Sequence, residues 1–481
     1  MSFLSPADDL LFIPAIAGIL LLSVSNYRVG AWLNILASLM TLLAAGWMLI
    51  DHSAPAGQMI AVDDLSISFL ALNALVGFTT SCFGKSYIAH DVETGRLKPS
   101  TLRYYYALYQ LLVCAMNLAL LTRIAGLMWV AIEMATLITV VMVGIYRTHE
   151  ALEAAWKYFM LGGVGIALAL FGTIIVYLAA QPFTGAGLAA MSWDNLVTHA
   201  ASFDPLLLDI AFVFILVGYG TKAGLVPLHA WLPDAHAEGP TPISAILSGL
   251  LLNLALYAIL RFKIILAANP AVFAPGPMMI VLGMASIFIA ALMLYRRRGI
   301  KRFFAYSSIE HVGIITLAFG IGGPLANFAG LLHMAMHSLA KSGLFFTIGH
   351  IVRIKGSQKF ADISGLTISH PALGWVFVAG VIAIAGLPPF GVFTSEFLVV
   401  SSAFTWHPLL ALILVVGLLI SLGGLILRLN ETAFGSPGGS LIPDRVSLWP
   451  AQLHFALVLI AGIYLPGPIT TWFQHVAKLL G

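Results

Sequence analysis

Long uninterrupted apolar runs occupy most of this 481-residue chain. About fourteen of them approach the roughly 20 residues that an α-helix needs to cross the hydrocarbon core of a bilayer. Only 9% of the residues are charged, against roughly 25% in soluble globular proteins. The runs do not alternate with polar residues as they would in a transmembrane β-barrel. The sequence therefore predicts an all-α polytopic membrane protein that forms a single membrane domain over residues 1–481. The predicted spans lie near residues 10–25, 31–50, 64–84, 104–122, 125–146, 157–180, 206–227, 241–262, 276–295, 303–322, 325–352, 372–397, 408–428 and 450–472.

The positions of Lys and Arg support this number of spans. With the N-terminus outside and alternate loops on opposite sides, 17 of the 23 Lys and Arg residues fall in inner loops and 4 in outer loops. The remaining two, Lys222 and Lys341, lie within spans. Cytoplasmic loops of membrane proteins carry such an excess of positive charge. The pattern predicts a multi-pass protein with both termini on the outer side.

The chain offers no place for a redox cofactor. Its two cysteines, Cys82 and Cys114, both sit in apolar runs and form no CxxC, cluster or haem-attachment motif. The loops are too short for a nucleotide, flavin or iron–sulfur domain. We therefore expect no cofactor in this chain. The lipid bilayer is an expected partner, whereas no basic segment with interleaved aromatic residues indicates nucleic acid.

Two of the predicted spans are interrupted by Gly and Pro. Gly218–Pro242 reads GYGTKAGLVPLHAWLPDAHAEGPTP, and Gly386–Glu396 reads GLPPFGVFTSE. Proline removes a backbone donor and bends or breaks a helix, and broken backbone at membrane depth is tolerated only where protein or a water cavity covers it. Paired broken helices are typical of inverted-repeat transporters. The spacing suits five-helix repeats in which the broken helix, 7 or 12, is the fourth.

Several ionisable residues lie inside the apolar runs, where a charge at the bilayer centre costs roughly 2.5–3.5 kcal/mol. Glu133 is isolated in LMWVAIEMATLITVV, and His333, His337 and Lys341 follow one another at intervals of four. That interval places the three on one helix stripe. Histidine can pass a proton through either ring nitrogen, so the stripe favours a relay over plain packing. Two histidines at this spacing could also bind a metal. We expect no metal site, because neither a carboxylate nor a third histidine is near them in the sequence.

The first interrupted span also carries a family resemblance. Its residues match the signature K-x4-P-x-H-x-W-L-P-D-A…PTP at Lys222, Pro227, His229, Trp231–Asp234 and Pro240–Pro242. The chain thus resembles the antiporter-like membrane subunits of respiratory complex I, of multisubunit sodium/proton antiporters and of membrane-bound group 4 hydrogenases. The segments LLLNLALY, EAAWKYFMLGGVGIALALFG and SSIEHVGI are most similar to the hydrogenase-4 and formate-hydrogenlyase branch. Asn253 stands where other branches place a lysine, and Ser248 where they place a histidine.

The resemblance implies roles for individual residues. Glu133 on helix 5 would pair with Lys222 on helix 7, and Glu396 would be the terminal exchange site towards the outer side. The polar stripe of His333, His337 and Lys341 is similar to one on helix 11 of the family. Further candidates, each of which could instead have a structural role, are Lys157, His229, Asp234, Asn253, Glu310 and His311. Water held by Asn253 and its neighbouring serines could replace the missing helix 8 base.

The family resemblance also implies the bounds of the repeats and the kind of membrane. The repeats would be residues 103–265 (helices 4–8) and 276–428 (helices 9–13). The membrane would be a bacterial inner membrane and the outer side the periplasm.

These features lead to one hypothesis and two alternatives. The chain would be a non-redox, proton-translocating subunit of a group 4 hydrogenase or a complex I-like respiratory complex. Its partners would be other membrane subunits and peripheral nickel–iron hydrogenase or related redox subunits. Redox chemistry there would alter the Glu133–Lys222 pair, and protons would then move along Lys222, His333, His337, Lys341 and Glu396. The alternatives are a subunit of a multisubunit Na+/H+ antiporter or ion-driven uptake system, and a structural membrane anchor.

Overall fold

The computed structural model describes residues 5–50, 59–437 and 447–481, and all of its regular structure is helical, with no β-strand among these residues. The predicted all-α polytopic fold is confirmed. The helices, in chain order, are α1 (Pro6–Ser23), α2 (Tyr27–Met48), α3 (Asp64–Glu93), α4 (Leu102–Leu121), α5 (Ala125–Val143), α6 (His149–Thr184), α7 (Trp193–His199), α8 (Pro205–Ala223), α9 (Trp231–Glu238), α10 (Thr241–Ile246), α11 (Leu252–Ala267), α12 (Gly276–Leu294), α13 (Ile300–Ile321), α14 (Gly323–Lys355), α15 (Leu366–Ser369), α16 (Pro371–Ile384), α17 (Gly391–Trp406), α18 (Pro408–Ala433), α19 (Trp449–Ile463) and α20 (Gly467–Leu479).

Eleven helices among the described residues are long and apolar enough to cross a membrane, or up to thirteen if each of two sharply bent helix pairs is one span. Helix α14 is 33 residues long but is not among the eleven. His333, His337 and Lys341 lower its hydropathy. Large apolar side chains such as Ile19 and Leu43 are each 64% exposed, as expected of surfaces that face lipid.

Both predicted helix breaks are present. Helix α8 ends at Ala223, Gly224 follows with a φ of +80°, and helical structure resumes at Trp231. The second break separates α16 from α17, and Gly386 there has a φ of +63°. A positive φ is open to glycine and strained for other residues. At Gly386 a Cβ would also overlap the Glu396 carboxylate, so a larger residue there would force that carboxylate to move.

The chain divides into two compact units. The first comprises Met1–Ala223 and Leu254–Pro275, and the second comprises Gly224–Asn253 and Gly276–Gly481. The two units are defined by which residues contact each other, and their bounds differ from those of the predicted repeats. The repeats over residues 103–265 and 276–428 therefore stay a prediction.

Within the first unit, α6 and α8 approach each other closely through glycines. A Cβ on Gly218 would meet the backbone of Gly165 and Ala169, and a Cβ on Gly172 would meet Ala211 and Ile215 of α8. Small residues at membrane helix interfaces allow this approach of the backbones. The packing fixes the side chains that project from α6 towards α8.

Within the second unit, α14 packs against α13, α16, α17, α19 and α20. Its middle turns are buried almost throughout, from Ala329 to His350 with one partly exposed position. The preceding helix α10 continues through the π-helical turn Leu247–Leu251. A π-helical turn inside an α-helix is frequent at functional sites. In this unit, polar side chains on α14 are therefore enclosed by protein rather than by lipid.

The side chain of Arg261, in the first unit, is only 11% exposed. Arg261 of α11 forms a two-pronged pair with Asp63 at 2.5 and 2.8 Å and also donates to the Tyr257 hydroxyl. Asp63 caps the N-terminus of α3 through Ser66. Burial alone would raise the pKa of the Asp63 carboxyl, but the Arg261 guanidinium and the Ser66 hydrogen bonds hold that pKa below its usual value.

Replacing Asp63 by Asn should therefore lower the thermal unfolding midpoint of the purified chain. A hydrogen bond to a charged group contributes about 1.5–3 kcal/mol, and Asp63 is partly exposed, so the lower part of this range is expected. Because the folded-state pKa is depressed, the contribution is present at neutral pH. It is lost as the carboxylate takes up a proton below about pH 4. Asp194→Asn, in an exposed pair with Arg123, is the control and should change the midpoint little. Equal effects of both substitutions would contradict the prediction.

Candidate proton pathway

Lys222 is buried in the last turn of α8, with only 1% of its surface exposed. Its ammonium nitrogen donates a hydrogen bond of 2.5 Å to the hydroxyl of Tyr158 on α6. The same ammonium lies 4.6 Å from the centre of the Tyr158 ring. A buried cation needs such partners, because it has lost its hydration.

The Tyr158 hydroxyl extends this contact towards α5. It lies 2.9 Å from the Thr139 hydroxyl, which in turn donates to the carbonyl of Ala135 at 2.8 Å. The Thr139 hydroxyl donates its proton to the Ala135 carbonyl, and the Tyr158 hydroxyl accepts from Lys222. The Tyr158 hydroxyl can therefore donate its own proton to Thr139. Glu133 lies on the same helix, α5, and interacts electrostatically with Lys222. The structure thus brings the predicted partners Glu133 and Lys222 together.

The sequence analysis selected Lys157 and missed its neighbour Tyr158. The Lys157 ammonium pairs with Glu153 at 2.6 Å, and both side chains are about half exposed. Tyr158, the next residue of α6, points about 100° further round the helix and is fully buried. A tyrosine in an apolar stretch usually indicates packing, so only its position relative to Lys222 reveals the polar contact.

Replacing Tyr158 by Phe should slow proton movement through the first unit without preventing folding. The ring would keep its packing, whereas Lys222 and Thr139 would both lose the hydroxyl between them. Removing a positioned proton-transfer group typically lowers a rate by about 10²–10⁴-fold. The measurement is the rate of proton uptake by proteoliposomes that contain the purified native complex. Tyr104→Phe, at an exposed tyrosine on α4, is the matched control. A Tyr158→Phe variant with the uptake rate of the control would exclude a role for this hydroxyl.

In the second unit, Lys341 and Glu310 are buried together. The Lys341 ammonium donates to the carbonyl of Phe304 on α13 at 3.0 Å and interacts electrostatically with Glu310. Glu310 and Glu396 line a cavity of about 220 Å³ together with Gly386 and Ser421. A water molecule occupies roughly 30 Å³ in the liquid, so this cavity has room for several. It could therefore connect the two carboxylates through water.

His333 lies at the centre of a hydrogen-bonded series next to this cavity. Its Nε2 is 3.0 Å from Nδ1 of His311, and its Nδ1 is 2.8 Å from the Ser395 hydroxyl. Nδ1 of His311 is in turn 3.7 Å from the Glu396 carboxylate. The ring of His337 lies 5.4 Å from that of His311, centre to centre, and neither of its nitrogens has a hydrogen-bond partner among the described residues. The fold thus groups four of the predicted ionisable residues.

Asn253 and its neighbouring serines are the residues predicted to hold bridging water. The Asn253 side-chain amide donates directly to the carbonyl of Met334 at 3.1 Å and to the Ser338 hydroxyl at 2.7 Å. Ser248, in the π-helical turn, lies 2.7 Å from the hydroxyl of Ser308. These polar groups therefore have protein partners, and proton-holding water at their positions stays a prediction.

His229 and Asp234 lie elsewhere in the second unit. Asp234 pairs with Arg302 at 3.1 Å, and Arg302 also contacts Glu238 at 3.3 Å. The ring of His229 packs edge-on against Tyr306. These ion pairs hold the segment before α10 against the first turn of α13. The structure does not place His229 or Asp234 in the histidine series.

Comparison with known proteins bears on the same residues. The family described as "NADH:quinone oxidoreductase/Mrp antiporter, TM" matches residues 125–421, which include all six of the principal predicted site residues. The hydrogenase-4 component F homolog of Methylacidiphilum infernorum (isolate V4) is 60% identical over 477 residues, 99% of this chain and 100% of that protein. NADH-quinone oxidoreductase subunit N of Desulforudis audaxviator (strain MP104C) is 28% identical over 420 residues, 86% of this chain and 80% of that protein. The names of these relatives are those of components of multisubunit membrane complexes.

Solved structures agree on the fold. A chain of the membrane-bound sulfane sulfur reductase, an archaeal respiratory membrane complex, superposes with a TM-score of 0.87 at 22% identity, over 98% of this chain and 97% of that chain. At that identity the likeness concerns the fold alone. The match over residues 125–421 and the 60% identical relative place the chain in one family. This multi-pass membrane protein belongs to the NADH:quinone oxidoreductase/Mrp antiporter family of transmembrane proteins.

Proposed function

We propose that this chain is the proton-translocating, antiporter-like subunit of a group 4 hydrogenase or complex I-like respiratory complex. It would lie in a bacterial inner membrane with both termini on the periplasmic side. Its partners would be other membrane subunits and peripheral nickel–iron hydrogenase or related redox subunits. The 60% identity to a hydrogenase-4 component F homolog supports this choice within the family.

The observation that carries the proposal is the buried contact between Lys222 and Tyr158 next to Glu133. A nearby carboxylate stabilises the protonated lysine, while burial favours its neutral form. The equilibrium between protonated and neutral Lys222 therefore depends on the distance to Glu133, and a small movement of Glu133 can shift it. The Tyr158 hydroxyl gives that proton an acceptor within hydrogen-bond distance.

The second unit would carry protons in the same way. Lys341 would take the role of Lys222, with Glu310 as its carboxylate. His337, His333, His311 and Glu396 would pass protons between Lys341 and the outer side. The short distances among His311, His333 and Ser395 support this order. We also propose that residues 103–265 and 276–428 are the two repeats that act as these paired half-channels.

The test is proton movement by the purified native complex in proteoliposomes during redox turnover. A pH-sensitive dye inside the vesicles would report a pH change that a protonophore collapses. A change caused only by consumption of protons in the redox reaction would survive the protonophore. A complex that turns over without a collapsible pH change would contradict the proposal and favour a structural anchor. Nickel–iron hydrogenase subunits should copurify with the chain. Copurification with further antiporter subunits alone would instead indicate an antiporter.

A further inference from the structure

The fold assembles a group of metal-ligating atoms that the sequence keeps apart. His311 of α13, His333 of α14 and Glu396 of α17 each offer one ligand atom, and these atoms all lie within 4.8 Å of one another. We propose that these three residues form a binding site for a divalent transition-metal ion of the Zn2+ type. They lie far apart in the sequence and on three helices of the second unit.

The distances suit such an ion. Zn2+ is held by imidazole nitrogen and carboxylate oxygen at about 2.0–2.2 Å, so tetrahedral ligand atoms are separated by about 3.3–3.5 Å. Nδ1 of His311 is 3.0 Å from Nε2 of His333 and 3.7 Å from the Glu396 oxygen. The third pair, a His333 nitrogen and a Glu396 oxygen, lies within 4.8 Å. A movement of the Glu396 side chain by about an ångström would therefore bring the three atoms to the separations of a coordination sphere. Two histidines and one carboxylate leave a fourth position open, as in sites that keep a water ligand.

Ser395 orients one of the ligands. Its hydroxyl donates to the carbonyl of Val392 at 2.8 Å and so can only accept from Nδ1 of His333. His333 therefore carries its proton on Nδ1 and presents the lone pair of Nε2 towards His311 and Glu396. A second hydrogen bond of this kind fixes the tautomer and ring orientation of most histidine ligands. On metal binding, His311 would carry its remaining proton on Nε2.

The surroundings favour a cation. Glu310 interacts electrostatically with Glu396 and lines the same cavity, which gives an ion a route to the Glu396 carboxylate. His337 stands beside His311 with two nitrogens that have no hydrogen-bond partner among the described residues. It is available as a fourth ligand or as a partner of a bound water. Lys341 acts in the opposite direction, because its ammonium interacts with His311 and His337 as well as with Glu310, so a bound cation would require Lys341 to be neutral or paired with Glu310.

Metal binding can be tested on the purified full chain in detergent, after removal of metals with a chelator. Co2+ added at one equivalent should give the intense visible bands of a four- or five-coordinate ion, and Zn2+ should abolish them. His333→Gln and Glu396→Gln should each lose the bands. Ser395→Ala should weaken binding by about 10–100-fold, as expected for loss of a residue that orients a ligand. His454→Gln is the matched control, because His454 is fully buried on α19 and bonded to the Leu339 carbonyl.

Bands that are absent from the wild type, or that persist undiminished in both ligand variants, would overturn the proposal. If a variant does not fold, X-ray absorption of the zinc-loaded wild type decides the question. It should show two imidazoles and oxygen at about 2.0–2.2 Å, and a sphere of oxygen alone would exclude the site.

A consequence for transport rests on the proposed function. Zn2+ would occupy the atoms that carry protons, so it should inhibit proton uptake by the native complex. Ser395→Ala should raise the inhibitory Zn2+ concentration by about 10-fold or more. Co2+ binding requires no proton movement, so a failure of transport in the wild type leaves the metal test intact. Conversely, absent Co2+ bands leave the transport test intact.

Discussion

Replacing Lys222 by Met should abolish proton uptake by the native complex in proteoliposomes while redox turnover continues. The side chain has a similar length and would fill the same space beside Tyr158, so no cavity forms. It would remove the one group of this cluster that can hold a proton as a cation. A loss of about 100-fold or more is expected, because the proton-holding ammonium that donates to the Tyr158 hydroxyl is removed.

The same substitution should destabilise the protein less than the loss of a fully buried partner would. Removing one member of a buried ionic pair leaves the other uncompensated, but Glu133 is only half-buried and keeps access to water or to a proton. Thermal unfolding of the purified chain can therefore separate a transport defect from a folding defect. Lys98→Met is the control, because Lys98 is exposed in the loop before α4 and the change in charge is identical. A Lys222→Met complex that moves protons at the wild-type rate would exclude Lys222 from the pathway.

The helix breaks and the buried charges could be predicted because their signals are local. Gly224 and Pro227 interrupt α8, and Gly386 precedes the second break, so sequence alone located both. Lys222, likewise, is conspicuous because a charge inside an apolar run is costly. Such signals require no knowledge of what the neighbouring helices contribute.

The partners of these residues could not be predicted in the same way. Tyr158 and Ser395 are residue types that apolar helices commonly carry for packing or for bonds to their own backbone. Their roles depend on which helix faces them, as Tyr158 faces Lys222 and Ser395 faces His333. For the same reason, the direct neighbourhood of His311 and Glu396 with His333 could not be predicted, although all three are candidates for the proton pathway. From the sequence we expect no metal site at His333 and His337, because His311 and Glu396 are distant from them along the chain.

The geometry of the second unit makes Lys341 the other position where a large effect is expected. Lys341→Met should abolish proton uptake, as at Lys222, but should also lower the unfolding midpoint. Its ammonium is the cation that interacts with the buried Glu310. Removing one partner of a buried ionic pair leaves the other uncompensated and typically costs about 3–5 kcal/mol. Lys478→Met, on the exposed face of α20, is the control for the loss of a lysine.

A double variant separates the structural part of this effect from the transport part. In Lys341→Met combined with Glu310→Gln, neither partner is charged, so the unfolding midpoint should return towards that of the wild type. Such non-additivity is the measure of coupling between two residues in contact. Proton uptake should stay absent, because the proton-holding amine is still missing. If the double variant regained both stability and proton uptake, the pair would be purely structural, and protons would have to cross the second unit without Lys341.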